Sequence, residues 1–319
     1  MTMVQSPGLH TNRRTALKLG AATAGGFLLH RGALAADSIR IIEPFGQGGS
    51  GIGQLIQEPF AKAMGMEVVI DYVAGDGAKL GTRETIRSKP DSRTLLIHAP
   101  DVLANWEHSG DKLLADLRPV AKLIRGMSVA FVVRADSALK DWQGMAAVSK
   151  GSALTMAVLL GPSLVLEMVK KRTGISFSTQ LTGTVASSVA LILSGKIDLA
   201  PIPTDWVLAY NEKASAKDKL RILATFGAQR APELPDVPTF AEIVGDRKAA
   251  TTYSLAVWSA ANADTAFTDK ATAALLSIAK TPKMLAEARK LRIPLQIEGP
   301  QVVHETLKRD RRVIQDVYG

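Results

Sequence analysis

Short apolar runs alternate with stretches of helical periodicity along most of this chain, and that alternation constrains the fold more than any single motif does. A run followed by helical spacing, repeated, is what a parallel sheet linked by helices requires. The first run is Ile39-Arg40-Ile41-Ile42, and behind it Ile52, Leu55, Ile56, Phe60 and Ala63 recur at helical spacing. Pro59 falls inside that pattern. It has no N–H and crowds the preceding turn, which predicts a kink or a helix restarting there. Further strands are expected at 68–70, 95–98, 129–133, 154–158, 197–200 and 220–225. Residues 184–193 are apolar on nearly all sides and end in Ser194-Gly195, which reads as a buried helix with a glycine cap.

With 319 residues the chain can build two domains with proper cores. Two places suggest that these domains are discontinuous in sequence. The 129–133 run leaves through the polar Arg134-Ala135-Asp136-Ser137, and a second long apolar stretch, 253–261, can return the chain to the first domain. Ahead of that return, residues 232–239 (PELPDVPT) are too proline-rich for helix or central strand and read as a rigid surface crossing.

Residues 1–36 stand apart as an export signal. Asn12-Arg13-Arg14-Thr15-Ala16-Leu17-Lys18 resembles a twin-arginine motif, an apolar stretch follows from 19 to 29, and Ala33-Leu34-Ala35 has the A-x-A form of a cleavage site. That apolar stretch is about half of the roughly 20 residues a membrane span needs, and a soluble periplasmic protein is expected. Losing Arg13, Arg14, Lys18 and Arg31 takes the formal net charge from +9 to about +5. The remaining basic residues are scattered and aromatics are 5%, so no stacking-plus-phosphate surface for nucleic acid is expected. The densest basic run, Lys308-Arg309-Asp310-Arg311-Arg312, shares a helical pattern with Val303, Leu307, Ile314 and Val317 and reads as a solvated face. The absence of cysteine excludes disulfides, thiolate metal ligands and thiol nucleophiles.

Residues 44–53, PFGQGGSGIG, raise a question of chemistry. Gly46 to Gly51 spell G-x-G-x-x-G, and Asp71 lies twenty residues further on, where an acid would meet a ribose hydroxyl. An exported NAD(P)-binding oxidoreductase is therefore the alternative reading. Against it, Pro44 and Phe45 separate the strand from the first glycine, and such spacing is easily met by chance among 26 glycines. His98, His108 and His304 form no acid–base constellation and contain no H-x-x-x-H pair, so neither hydride chemistry nor a transition-metal site is indicated. There is no P-loop, and Ser50 lacks the second glycine of a nucleophile elbow because Ile52 stands there. No cofactor and no metal are expected.

Four segments in order point elsewhere: IRIIEPFGQGG at 39–49, VIDYVAGDGAKLG at 69–81, GKIDL at 195–199 and KLRILATFGAQRAPELPDVPTFAEI at 219–243. They resemble the strand and PFxxGG loop, the V-x-N-R-P-G-A-G-G-x-x-G loop, the GxVDL segment and the block containing P-D-V-P-T-x-x-E of one family. It is the extracytoplasmic solute-binding proteins of tripartite tricarboxylate transporters, the Bug family. The resemblance implies an α/β fold, a periplasmic binding protein type II-like clamshell of two α/β domains with a hinge of two crossing strands. Domain 1 would comprise 37–133 and 256–319, and domain 2 would comprise 134–255. It further implies a non-enzyme. A small organic acid enters the cleft, the domains close, and the closed form meets a membrane permease; a monomer is expected.

In that frame the candidate ligand-binding residues are Phe45, Gly46, Gln47, Gly48, Gly49, Ser50 and Gly51 in the first loop, and Ala99, Pro100 and Asp101 after the 95–98 strand. Gly161, Ser163, Thr182, Gly183, Thr184 and Asp205 complete the set. Gly48, Gly49, Ser50 and Gly51 would present backbone N–H groups to a carboxylate at a helix N-terminus, with Phe45 on the ligand's apolar body. Several positions depart from the family pattern. Ile52 replaces a common Asp, Ala99-Pro100-Asp101 replaces a Ser/Thr-rich loop, the 158–163 loop is short, and Ile202 aligns where an Asp often follows GxVDL. These changes predict a less polar cargo, an aromatic or branched monocarboxylate in place of a di- or tricarboxylate. A second possibility is a sensor partner that has lost ordinary uptake.

Overall fold

The computed structural model describes residues 38–45, 51–159, 164–182 and 184–319; the expected export signal at 1–36 lies outside the described residues. The chain opens with β1 (Ser38–Glu43), α1 (Ile52–Met64), β2 (Glu67–Tyr72), α2 (Lys79–Ile86), β3 (Thr94–His98), α3 (Pro100–His108) and β4 (Leu117–Ile124). Its middle holds β5 (Val129–Arg134), α4 (Trp142–Ser149), β6 (Leu154–Val158), α5 (Leu164–Thr173), β7 (Phe177–Leu181) and α6 (Val185–Leu193). It continues with β8 (Ala200–Pro203), α7 (Thr204–Lys213), β9 (Leu220–Thr225) and α8 (Phe240–Val244). It closes with β10 (Ala256–Ala260), α9 (Thr265–Ile278), α10 (Pro282–Lys290), β11 (Leu295–Glu298) and α11 (Pro300–Tyr318).

The first and last segments share a six-stranded sheet in the order β11-β4-β10-β3-β1-β2. All five residues of β3 are buried, as a strand covered by helices on both faces must be. β1 runs parallel to β3, with Ile41 opposite Leu95. β10 instead runs antiparallel between β3 and β4, placing Val257 opposite both Ile97 and Ala121. The sheet is thus mixed, not the wholly parallel one that the alternation of runs and helices suggests. Periodicity carries no strand direction, and β10 enters from the far side after the middle segment. α1 buries Ile52, Ile56, Phe60 and Met64 on one stripe against Ile39, Ile41, Leu95 and Ile97. Pro59 neither ends nor restarts that helix. It and Leu55, whose carbonyl loses a donor, are only half-buried, so water can take the freed oxygen.

The middle segment forms an antiparallel sheet, β8-β5-β9, and a parallel pair, β6-β7. The strand expected at 197–200 is displaced to β8, and Leu199 keeps only an isolated bridge to Met156. β8 contains Pro201 and Pro203, tolerable because it is an edge strand. α6 is one-sided, not buried all round: Ser188, Val189 and Ile192 face the core while Ala186, Ser187 and Ala190 are exposed. Small Ala and Ser side chains gain too little from burial to fix a second face.

Two strands of chain connect the sheets and run beside each other. Met127 N–H donates to Tyr253 O at 2.6 Å, and Tyr253 N–H donates back to Met127 O at 2.7 Å. Gly126 permits this approach, since a Cβ there would fall 2.7 Å from Thr252 Oγ1. Residues 232–239 carry no helix or strand until Thr239, which accepts from Glu242 N–H and closes a capping box on α8.

Candidate functional site

A cavity of about 270 Å³ lies where the crossing strands meet the two sheets. Phe45, Ile52 and Ile124 line it from the large-sheet segments, Val129, Val158 and Trp206 from the middle, and Met127, Thr252 and Tyr253 from the crossings. Its walls are mainly apolar, with Asp101, Asn105, Thr184, Asp205 and Arg292 as the polar groups that stand out. A mostly apolar hollow with a few convergent polar side chains is the ordinary form of a small-molecule site.

Each side chain is placed by its element. Phe45 leaves β1 and meets His98 at the end of β3 in a tilted contact, ring centroids 5.1 Å apart, and Trp106 of α3 meets His98 edge-on at 5.0 Å. His98 is fully buried, and burial lowers its pKa to about 4, so the ring is neutral. Its Nδ1 lies 3.2 Å from Ala99 O, which a neutral ring satisfies by carrying its proton there. His98 therefore acts as a packed spacer between aromatic side chains.

Asp101 sits in the first turn of α3 behind Pro100. Its Oδ1 is buried without a hydrogen-bond partner, and burial and Asp310 push its carboxyl up to about 8. Asp205, in the first turn of α7, is also raised by burial, partly offset by Arg125. Thr184 caps α6, its Oγ1 accepting from Ser187 N–H at 3.1 Å. Arg292 is held from across the cavity rim by Glu212 of α7, Nε to Oε2 at 3.0 Å. It adopts a left-handed backbone, φ 54°, unusual for a residue with a side chain.

Among the candidates from sequence, Phe45, Asp101, Thr184 and Asp205 line the cavity. Ala99 and Pro100 are buried, and Thr182 bonds Ser188 Oγ at 2.7 Å and Val158 O at 3.2 Å; none of the three is a lining residue. Gly51 precedes α1 at φ 66° and stands off the lining. Gly46, Gln47, Gly48, Gly49, Ser50, Gly161, Ser163 and Gly183 lie outside the described residues. Sequence reasoning missed Trp106, Trp206, Tyr253 and Arg292, which no local motif flags. It also missed Glu43, a buried acid that accepts from Gly53 N–H of α1 at 2.9 Å. Its signal was available, an acid ending an otherwise apolar strand run.

The dinucleotide alternative finds no support. Asp71, its ribose candidate, accepts from Arg40 Nε at 2.8 Å, and Arg40 also pairs with Glu84 at 2.7 Å. That acid fixes β2 to β1 and is engaged within the protein.

Comparison with known proteins gives a consistent answer. Residues 52–318 match the family model described as tripartite tricarboxylate transporter family receptor. A UPF0065 protein of Bordetella bronchiseptica is 25% identical over 226 residues, 65% of this chain and 63% of that protein. The match thus spans less than two thirds of that relative's length. The solved periplasmic binding protein BugD superposes with a TM-score of 0.75 at 18% identity, covering 88% of this chain and 96% of that one. R. palustris Rpa4515, solved with adipate, gives 0.75 at 19% identity, covering 88% and 95%. At such identities the two structures establish the fold, the α/β clamshell of periplasmic binding proteins. The family model covers most of the sequence, and the chain belongs to the tripartite tricarboxylate transporter family of receptors.

Proposed function

We propose that the protein is a periplasmic solute-binding receptor that captures a small organic acid in this cavity and presents it to the permease subunits of a tripartite tricarboxylate-type transporter. The observation that carries the reading is a cavity at the paired crossings 125–128 and 251–255, with apolar walls and few polar groups, in a chain of that receptor family. In this reading 37–133 with 256–319, and 134–255, are the two hinged bodies, and residues 1–36 direct export. The loop 46–51 meets the carboxylate, and residues 182–184 meet a second polar group. Cargo closes the hinge only through higher affinity for the closed form. No turnover is expected, and the receptor works as a monomer.

Phe45, Ile52, Trp106, Val129, Val158 and Trp206 favour a cargo with an apolar body, a monocarboxylate with an aromatic or branched chain. A thermal-shift panel of mono-, di- and tricarboxylates tests this. A ligand at about 100 times its Kd stabilises by about 2.7 kcal/mol, several degrees in melting temperature. Stabilisation by aromatic acids is the expected result. Stabilisation by citrate-like acids alone would sink the cargo assignment, and a response to NADH with none to any acid would sink the receptor reading.

A further inference from the structure

Asp101 of α3 and Asp310 of α11 form an incompletely bonded pair: Asp101 Oδ1 and Asp310 Oδ2 are both buried without a hydrogen-bond partner. Arg309 covers only the other oxygen of Asp310, from Nε at 3.0 Å and Nη2 at 2.7 Å. Lys122 of β4 acts on Asp310 but donates its Nζ to Glu298 at 3.2 Å. From the crossing, Tyr253 offers a phenol whose ionisation is opposed by burial, Asp101 and Glu43. His98 of β3 is neutral. Across the cavity Asp205 is a second acid, and the Arg292 guanidinium is engaged by Glu212. An ionised Asp101 would thus face a mostly apolar cavity with a second carboxyl acting on it and no cation bonded to it, and the backbone N–H groups of Asp101 and Val102 and the more distant charge of Arg309 offset this only in part. Burial and a like charge both disfavour that form. The neutral acid escapes both costs and carries a donor for whatever fills the cavity.

We propose that Asp101 is a specificity-determining residue that meets the cargo as a neutral carboxylic acid, donating its O–H to an acceptor oxygen of a carboxylate or carbonyl. The proposal deepens the organic-acid reading above and rests on it. The Asp101 Oδ1, buried without a partner, and the nearby Asp310 charge favour the protonated carboxyl, and an acid kept neutral is an effective donor to an anion. Above about pH 8 the cargo must bring a proton in with it. An amine cargo would do the opposite, ionising Asp101 and releasing a proton.

The test uses the full chain and three probes, adipate, benzoate and benzylamine. Carbon NMR of labelled Asp carboxyls, with the Asp101 signal identified by its loss in Asp101→Asn, reads the protonation state without any ligand. Calorimetric titrations between about pH 6 and 10 read the coupling to binding. The expected outcome is an Asp101 signal that titrates near pH 8. The Kd of the bound acid should be level below that and rise tenfold per pH unit above it. Asp101→Asn should abolish that slope, and Asp101→Leu, which has no donor, should lose tenfold or more at neutral pH. An Asp101 signal in the ordinary carboxylate range, a slope surviving in Asp101→Asn, or benzylamine binding ahead of both acids would overturn the proposal. If neither acid binds, the organic-acid reading fails, while the titration of Asp101 still decides its protonation.

Discussion

Asp101 and His98 belong to neighbouring elements and carry opposite pH dependences. A carboxyl raised from 3.8 to about 8 means that the native state holds a proton the unfolded chain gives up. Stability contributed by that proton is complete below the unfolded value and is lost as pH rises to about 8. A histidine lowered from 6.5 to about 4 works in the other sense, and stability is lost as pH falls through that window. The two slopes offset each other over the acid range, and the Asp101–Asp310 pair acts without the histidine from about 6.5 to about 8. Melting temperature should therefore fall with pH over that upper window. Asp101→Asn should flatten the fall, gaining on the wild type by at most about 1.4 kcal/mol per pH unit. The midpoint belongs to the Asp101–Asp310 pair, since the Asp310 carboxyl is raised as well. Thermal melts at half-unit steps check this, and a parallel fall in the variant would contradict it.

At the scale of elements, legibility follows chemistry. β3 and β5 are mainly apolar runs buried on both faces over most of their length, β6 and β9 are apolar runs with one polar interruption near the start, and their sequences announce them. β4 hides because Arg118, Pro119 and Lys122 interrupt it, β7 because FSTQL is largely exposed, and β11 because it is a four-residue edge. Within the site, Phe45 and Thr184 sit beside legible strand and helix ends. Trp206, Tyr253 and Arg292 reach the cavity only through long-range topology, which no local pattern encodes. The crossings expose a second kind of constraint. At Gly126 a Cβ would lie 2.7 Å from Thr252 Oγ1 and 2.9 Å from Thr252 Cβ, in a pair of strands already bonded at 2.6 and 2.7 Å. Gly126→Ala should cost about 1–3 kcal/mol by overpacking. Chemical denaturation would read this as a lower midpoint at unchanged slope, and a neutral result would mean that the crossings separate freely.

Across the whole molecule, charged side chains bind distant segments, and two of these contacts bear on stability and closure. Arg172 of α5, nearly buried, bonds Asp246 after α8 at 3.0 Å and also bonds Asp316 of α11. Arg172→Ala strips two carboxylates of their shared cation and should destabilise by about 1–3 kcal/mol, visible as a drop in melting temperature. The Arg292–Glu212 pair differs in kind. It spans the cavity rim, and its side chains are 39% and 54% exposed, so water and salt screen it and it is worth at most about 1 kcal/mol. If the two sheets are the bodies that close on cargo, a pair of that strength tunes closure without dictating it, because a ligand must supply several kcal/mol to reverse a hinge equilibrium. Glu212→Ala should then weaken binding of the acid found in the thermal-shift panel by no more than about fivefold. The difference from wild type should shrink as salt is raised. Calorimetry at low and high ionic strength separates this from direct recognition. A loss of a hundredfold, or one indifferent to salt, would make Glu212 itself part of the cargo site.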